Sequence, residues 1–308
     1  MEISKGSLRK GLIYSLISSV SIALLGILGK IGYRAGMTEL SMLQNRWFYG
    51  AAMLFIYIFL TDRRALRVSG ITLLKTALLG AFFHGIAGFT FFKAIRHIPV
   101  STTLLIVYFY PVVVTLASAY LFKMRLSRTV CFSLILILAG SSLVFFDAFA
   151  QDLNSLGIIY ALVNMIVFSG YMIAAQIFLR GQKPLVMTFY MALFTGVAFS
   201  FFHSPLAILE SGPQQILIGL SLGLIPTVIA YFFSFRALRE VGSGYVSIFS
   251  TFEPVTVVIL GYLVLGERMF VYQIFGMVLI IGGIILPNLL GFRAGGGPIA
   301  ADKRLDSG

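Results

Sequence analysis

The sequence predicts an all-α membrane protein: ten transmembrane helices built as two inverted five-helix repeats, with both termini in the cytoplasm. Three observations carry this. The composition suits a chain dissolved in lipid, ten apolar stretches of spanning length follow one another, and one pattern occurs twice at constant spacing.

Of 308 residues, 59% are apolar and only 11% charged, and mean hydropathy is +0.98. A soluble domain carries about 25% charged and 45–50% apolar residues. The net charge of +12 would suggest nucleic acid as the partner of a soluble protein; here it is read as Lys and Arg retained on the cytoplasmic side of a bilayer, with no nucleic-acid partner. Cys131 is the lone cysteine, so the chain holds neither a disulfide framework nor a cysteine metal site. The first apolar segment has full spanning length and nine more follow, so it reads as a span rather than a cleavable signal.

A span needs about 20 mostly apolar residues. Ten stretches qualify: 12–33, 41–60, 73–94, 101–122, 128–147, 154–178, 184–203, 214–234, 245–265 and 270–290. The loops between them are short and polar or basic, leaving no room for an inserted soluble domain. The segment from Arg293 onward is Gly-rich and polar and reads as a disordered cytoplasmic tail, 293–308.

The repeated stretch organises this series. Phe92 to Arg125 and Phe235 to Arg268 align at an offset of 143 without a gap, pairing Phe92 with Phe235, Ala94 with Ala237, Arg96 with Arg239, Pro111 with Pro254 and Arg125 with Arg268. A period of this length is too long for a solenoid and reads as two transporter halves, 1–150 and 151–292. The first helices echo more weakly: GLIYSLISS near Gly11 resembles GIIYALVNM near Gly157, an offset of 146 that sets Lys30 opposite Gln176.

Orientation follows from the loops. Seventeen Lys and Arg fall in segments on the N-terminal side, among them Lys5, Arg63, Arg64, Lys123, Arg180, Lys183, Arg236 and Arg304. Only Arg34, Lys93, Arg96 and Arg268 fall on the other side. The positive-inside rule then puts both termini in the cytoplasm. Five spans precede the second half, so that half enters the membrane from the opposite face and is inverted, an architecture suited to alternating access.

With these features in place, the chain resembles the drug/metabolite transporter superfamily, in its ten-helix EamA-type branch. The resemblance rests on the prolines of the fourth and ninth spans, the Leu265-Gly266-Glu267-Arg268 turn, Arg46 early in the second span, and the Phe92…Ala94 and Phe235…Ala237 pairs. It covers about Leu12 to Leu290. The first-half turn departs, reading Phe122-Lys123-Met124-Arg125 where the family commonly has a glutamate. The resemblance implies export of small metabolites, often amino acids, across a bacterial inner membrane.

Candidate site residues are those that are expensive in lipid. Pro111 and Pro254 lack an N–H and free the carbonyls of Val107 and Ser250, so each marks a hinge, a cavity wall or a static kink. Glu253 precedes Pro254 at mid-span, where a charge costs about 2.5–3.5 kcal/mol on insertion scales. It therefore faces the bundle interior, as a ligand for a substrate ammonium, a proton-coupling group or a structural bond. His84, near the centre of the third span, is a second coupling candidate or a satisfied core histidine. Lys30 and Arg46 lie toward the outer ends of their spans, where they snorkel or bind a carboxylate at the cavity mouth. Tyr108 and Tyr110 flank the first break, and their hydroxyls need partners there. Tyr231, in the Tyr231-Phe232-Phe233 run, and Gln176 complete the substrate-binding set. Asn45 and Asn164 are further polar groups within spans, and Gly219-x-x-x-Gly223 is a helix-packing motif.

No H-E-x-x-H, G-x-S-x-G, P-loop or G-x-G-x-x-G occurs, so neither an enzyme nor an ATP-driven pump is expected, and no metal or other cofactor. The reading is a secondary transporter of the inner membrane that exports or exchanges a small polar metabolite, foremost an amino acid, with proton or counter-substrate coupling. The alternative is an exchanger of nucleotide-like metabolites or lipophilic drugs. A scramblase or membrane-embedded enzyme is disfavoured, because no polar stripe faces lipid and no catalytic cluster is visible.

Overall fold

The computed structural model describes residues 5–123, 126–147, 154–202, 204, 208, 211–266 and 268–289. The expected tail, 293–308, and the turn residues Met124, Arg125 and Glu267 lie outside them.

Among the described residues the chain is entirely helical, with ten rods in the order expected. These are α1 (Lys5–Arg34), α2 (Glu39–Thr61), α3 (Gly70–His97), α4 (Val100–Leu121), α5 (Arg128–Val144), α6 (Ser155–Phe178), α7 (Pro184–Phe199), α8 (213–241), α9 (243–265) and α10 (Val271–Leu289). The starts follow ordinary capping chemistry. Thr38 and Ser41 form a capping box before α2, and Ser69, Ser127 and Asn154 accept the first free N–H groups of α3, α5 and α6. Single continuous helices such as α1 and α6 are long and apolar enough to cross a bilayer. Large apolar side chains at mid-helix point outward, Ile135, Ile166 and Val278 among them. That is the pattern of a surface solvated by lipid tails rather than water.

Three features go beyond the expected spans. α8 does not stop near 234 but continues to 241, because Phe235, Ala237, Leu238 and Val241 are buried against the rest of the bundle. Second, α3 and α8 each contain a π-helical turn, Leu78–His84 and Leu224–Ile229. Third, α4 and α9 are interrupted as the prolines require. The rod of α4 breaks at Tyr108–Phe109, between Val100–Val107 and Tyr110–Leu121. That of α9 breaks at Thr251, before Phe252–Leu265. The N–H groups of Phe109 and Thr251 bond three residues back, to Ile106 and Ile248. Each break is thus a single tightened turn rather than an unwound segment.

Packing exchanges partners between the halves. α1 lies against α8 and α9, while α6 lies against α3 and α4; α2 packs on α7 and α8, and α7 on α2 and α3; α5 and α10 pair with each other. The close approaches are matched as well. Gly11 of α1 abuts Val241, and Gly157 of α6 abuts Ile98, where an added Cβ would fall 2.7 Å from the isoleucine side chain. Ile98 and Val241 are themselves 143 residues apart.

Candidate functional site

Six of the sequence-derived candidates meet at the centre of the bundle: Arg46, His84, Tyr108, Tyr110, Tyr231 and Glu253. Glu253 sits in the first turn of the helix that begins after the α9 break. Its carboxyl is therefore beside free backbone N–H groups at the positive end of a half-helix. At the 143 offset its partner in the first half is Tyr110, which occupies the matching place after the α4 break.

Both line one cavity of about 50 Å³. α1 supplies Ser18, Ser19 and Ile22; α6 supplies Phe168, Tyr171 and Met172; α8 supplies Ala230, Tyr231 and Ser234; and Ser250 lies beside Glu253 on α9. Glu253 is partly accessible, and that accessibility is to this cavity, since the carboxyl is otherwise enclosed by protein. The lining thus holds one carboxylate, three tyrosines and four serines, with no cationic side chain. The Tyr110 ring meets Phe168 edge-on at 5.0 Å between centroids, and its hydroxyl donates to the Ser247 carbonyl at 3.4 Å. Tyr108 is buried behind this wall, stacked on Phe145 at 5.7 Å, with its hydroxyl facing the Glu253 carboxyl.

Arg46 departs from its expected placement. It does not snorkel at the end of α2: it is 4% exposed and reaches into the π turn of α8. Its Nε donates to Thr227 Oγ1 at 3.1 Å and its Nη2 to the Pro226 carbonyl at 3.0 Å. The guanidinium also stacks on Trp47 at 4.7 Å and interacts with Tyr231 and Glu253. A buried cation needs acceptors and a counter-charge; the π turn supplies the first and α9 the second. The irregular turn therefore has a local use, as π-bulges frequently do.

His84 closes the π turn of α3 and is 8% exposed. Its ring is boxed by Trp47 at 5.3 Å, Tyr171 at 4.5 Å and Tyr231 at 5.1 Å. Its Nε2 has no hydrogen-bond partner among the described residues. Tyr171 and Tyr231 belong to both environments, forming the wall between His84 and the cavity of Glu253.

Two candidates lie elsewhere. Lys30 is on an exposed part of α1 and is not among the cavity-lining residues. Gln176 is buried, but its carbonyl oxygen accepts from the backbone N–H and the hydroxyl of Ser243, both at 2.6 Å. It caps the start of α9 and does not line the cavity. Pro111 and Pro254 sit where expected, in the first turns after the two breaks. Thr227, Ser243, Phe168 and Tyr171 escaped the sequence reading. For Ser243 a signal was present, since Gly242-Ser243-Gly244 punctuates an otherwise apolar region.

At one end of the bundle Asp62, after α2, pairs with Lys183, before α7, at 3.0 Å. The hydrogen bond from Lys183 holds the Asp62 carboxyl below the usual carboxylate range. The Tyr190 hydroxyl donates to the Leu66 carbonyl nearby at 2.6 Å.

The chain is similar to known proteins. The model of the EamA-like transporter family matches the chain twice, over residues 9–146 and again over 155–289. The uncharacterized transporter YxxF of Bacillus subtilis (strain 168) is 25% identical over 203 residues, an alignment spanning 63% of each chain and so less than two thirds of the relative. A solved crystal structure superposes with a TM-score of 0.75 over 91% of this chain and 97% of its own, at 18% identity, a likeness of fold alone. Two family matches that together take in every residue of the central site place this multi-pass membrane protein in the EamA-like transporter family.

Proposed function

We propose that the protein is a secondary transporter that exports or exchanges a small amine-bearing metabolite, foremost an amino acid, across the inner membrane by alternating access. The observation that carries this reading is Glu253: the one carboxylate lining the central cavity, set at the break of α9. It receives the substrate ammonium, with Tyr110, Phe168, Tyr171 and Tyr231 against the apolar portion. Arg46, which stands behind Tyr231, meets a substrate carboxylate when that ring turns. Lys30, remote from the lining, serves orientation or the outer surface rather than this site.

The cavity of about 50 Å³ holds roughly three or four waters and no amino acid. Binding therefore requires α4 and α9 to part, with the breaks at Pro111 and Pro254 as hinges. The reading of two inverted repeats, with both termini cytoplasmic, is supported by the two family matches, by the exchange of packing partners between halves and by the loop charges.

The test is counterflow in proteoliposomes preloaded with unlabelled amino acids, nucleotides or organic amines, following entry of the labelled counterpart. Loss of a charge-assisted contact worth about 1.5–3 kcal/mol makes Glu253→Gln slower by roughly ten- to hundred-fold. Unchanged flux through Glu253→Gln sinks the site assignment. Exchange of nucleotides alone overturns the amine reading in favour of an anion.

A further inference from the structure

The two breaks divide α4 and α9 into half-helices, and these pack most closely at one end. The second half of α4, Tyr110–Leu121, lies along the first half of α9. The other two halves, Val100–Val107 and Phe252–Leu265, pack chiefly elsewhere, the first on α6 and the second on α1. The direct packing of α4 on α9 is thus concentrated on one side of the cavity.

The closed side is joined by polar bonds. Ser118 Oγ lies 2.8 Å from Ser243 Oγ, and the Thr115 hydroxyl donates to the Gly244 carbonyl at 3.5 Å. From α6, Gln176 Oε1 accepts both the hydroxyl and the backbone N–H of Ser243. The chain reaches this geometry through Gly242, with φ of +78°, a backbone conformation open to glycine and strained for other residues. Ser118, Thr115 and Ser243 are all buried to within 1%, and Gln176 is 7% exposed. Polar groups so deep are paired at high stakes: lose one partner and the others are left unsatisfied.

The repeat shows what the other side would use. At the 143 offset Ser118 corresponds to Gly261, Thr115 to Val258 and Ser243 to Val100; at 146, Gln176 corresponds to Lys30. The counterparts are apolar, apart from an exposed lysine. The two ends correspond through the sequence repeat and differ in chemistry.

We propose that Ser118, Gln176 and Ser243 form a latch that closes the cytoplasmic end of the pathway and biases the resting protein toward the state open on the other side. The inference rests on the alternating-access reading and on the orientation proposed above. Substrate arriving from the cytoplasm must break the Ser118–Ser243 contact, so the latch sets the barrier for entry, while Gly261, Val258 and Val100 at the opposite end offer no equivalent side-chain bonds.

The experiment uses the full-length protein in proteoliposomes with exposed Cys131 replaced by Ser. Ser118→Cys/Ser243→Cys is oxidised with copper phenanthroline and assayed for counterflow of labelled amino acids. The expected result is quantitative cross-linking without added solute, flux below one tenth of the reduced protein, and recovery with dithiothreitol. Failure to cross-link overturns the latch, as does flux above half of the reduced value in fully cross-linked protein. In parallel, Ser234→Cys reports cavity access to a membrane-impermeant maleimide applied from either side. Gln176→Leu should raise labelling from the cytoplasmic side about tenfold and lower it from the other; labelling indifferent to Gln176→Leu also overturns the latch. The two readings separate cleanly. If reduced protein moves no solute yet the latch variants still redirect labelling, the latch stands and the transport reading falls. Flux that ignores the cross-link means the reverse.

Discussion

Replacing Arg46 by Met removes the positive charge from the centre of the bundle and leaves its shape nearly intact. The guanidinium gives up its hydrogen bonds to the Pro226 carbonyl and Thr227 Oγ1 and its stacking on Trp47. Glu253 loses its nearby counter-charge. Removing one member of a buried pair costs about 3–5 kcal/mol, chiefly because the other charge stays buried and unpaired. At roughly 2 °C per kcal/mol for a chain of this size, the apparent melting temperature should fall by about 6–10 °C. The assay is thermal unfolding in one detergent at fixed scan rate, since unfolding of such proteins is kinetically controlled. Adding Glu253→Gln to Arg46→Met should restore part of the loss, because a neutral pair has no orphaned charge. Arg46→Lys should fall between, since a lysine cannot reproduce the forked contact to the π turn. Losses that add to within about 0.5 kcal/mol would show that the two charges do not sense each other and refute the account of the site.

Four further outcomes are expected. Gly157→Ala presses a Cβ against the side chains of Ile98 and His97, and overpacking of this kind costs about 1–3 kcal/mol; Ile98→Ala in the same chain should recover most of it in the same thermal assay. Carbodiimide should couple Asp62 to Lys183, read as one internal cross-linked peptide by mass spectrometry, and its absence would contradict the 3.0 Å pair. Because Asp62 titrates below the usual carboxylate range, its contribution is present above the ordinary carboxylate pKa and is lost as pH falls through the lowered value; Asp62→Asn should remove that acid sensitivity and leave neutral pH nearly unchanged, being an exposed pair. Trp47 is the sole tryptophan and touches Tyr231 at 5.3 Å, so a transported solute entering the cavity should shift its emission, and Tyr231→Ala should abolish that shift.

Much of the scaffold was legible in the chain itself. Span order came from apolar length, and the breaks at 108–109 and 251 from two prolines whose missing N–H groups weaken the helix there. The central placement of Glu253, Tyr110 and His84 followed from the expense of polar groups in lipid. Arg46 illustrates the opposite case. Its position in the sequence suggests an arginine able to reach the membrane surface, yet it turns inward because the π turn of α8 offers a carbonyl and a hydroxyl at the right height. The same polarity argument marks Gln176 as a candidate ligand, and the fold places its carbonyl oxygen on Ser243 at the start of α9.

The sequence by itself determined the number and order of helices, the repeated pattern and the helix breaks, because hydropathy, proline and spacing act locally along each segment. Only the tertiary structure decided which buried polar groups meet: Arg46 with Pro226 and Thr227, Gln176 with Ser243, and the cavity shared by Tyr110, Tyr231 and Glu253. Those pairings depend on how each rod rotates and slides against neighbours far away in sequence. In lipid, where every helix is apolar on several faces, nothing in the local pattern specifies that rotation.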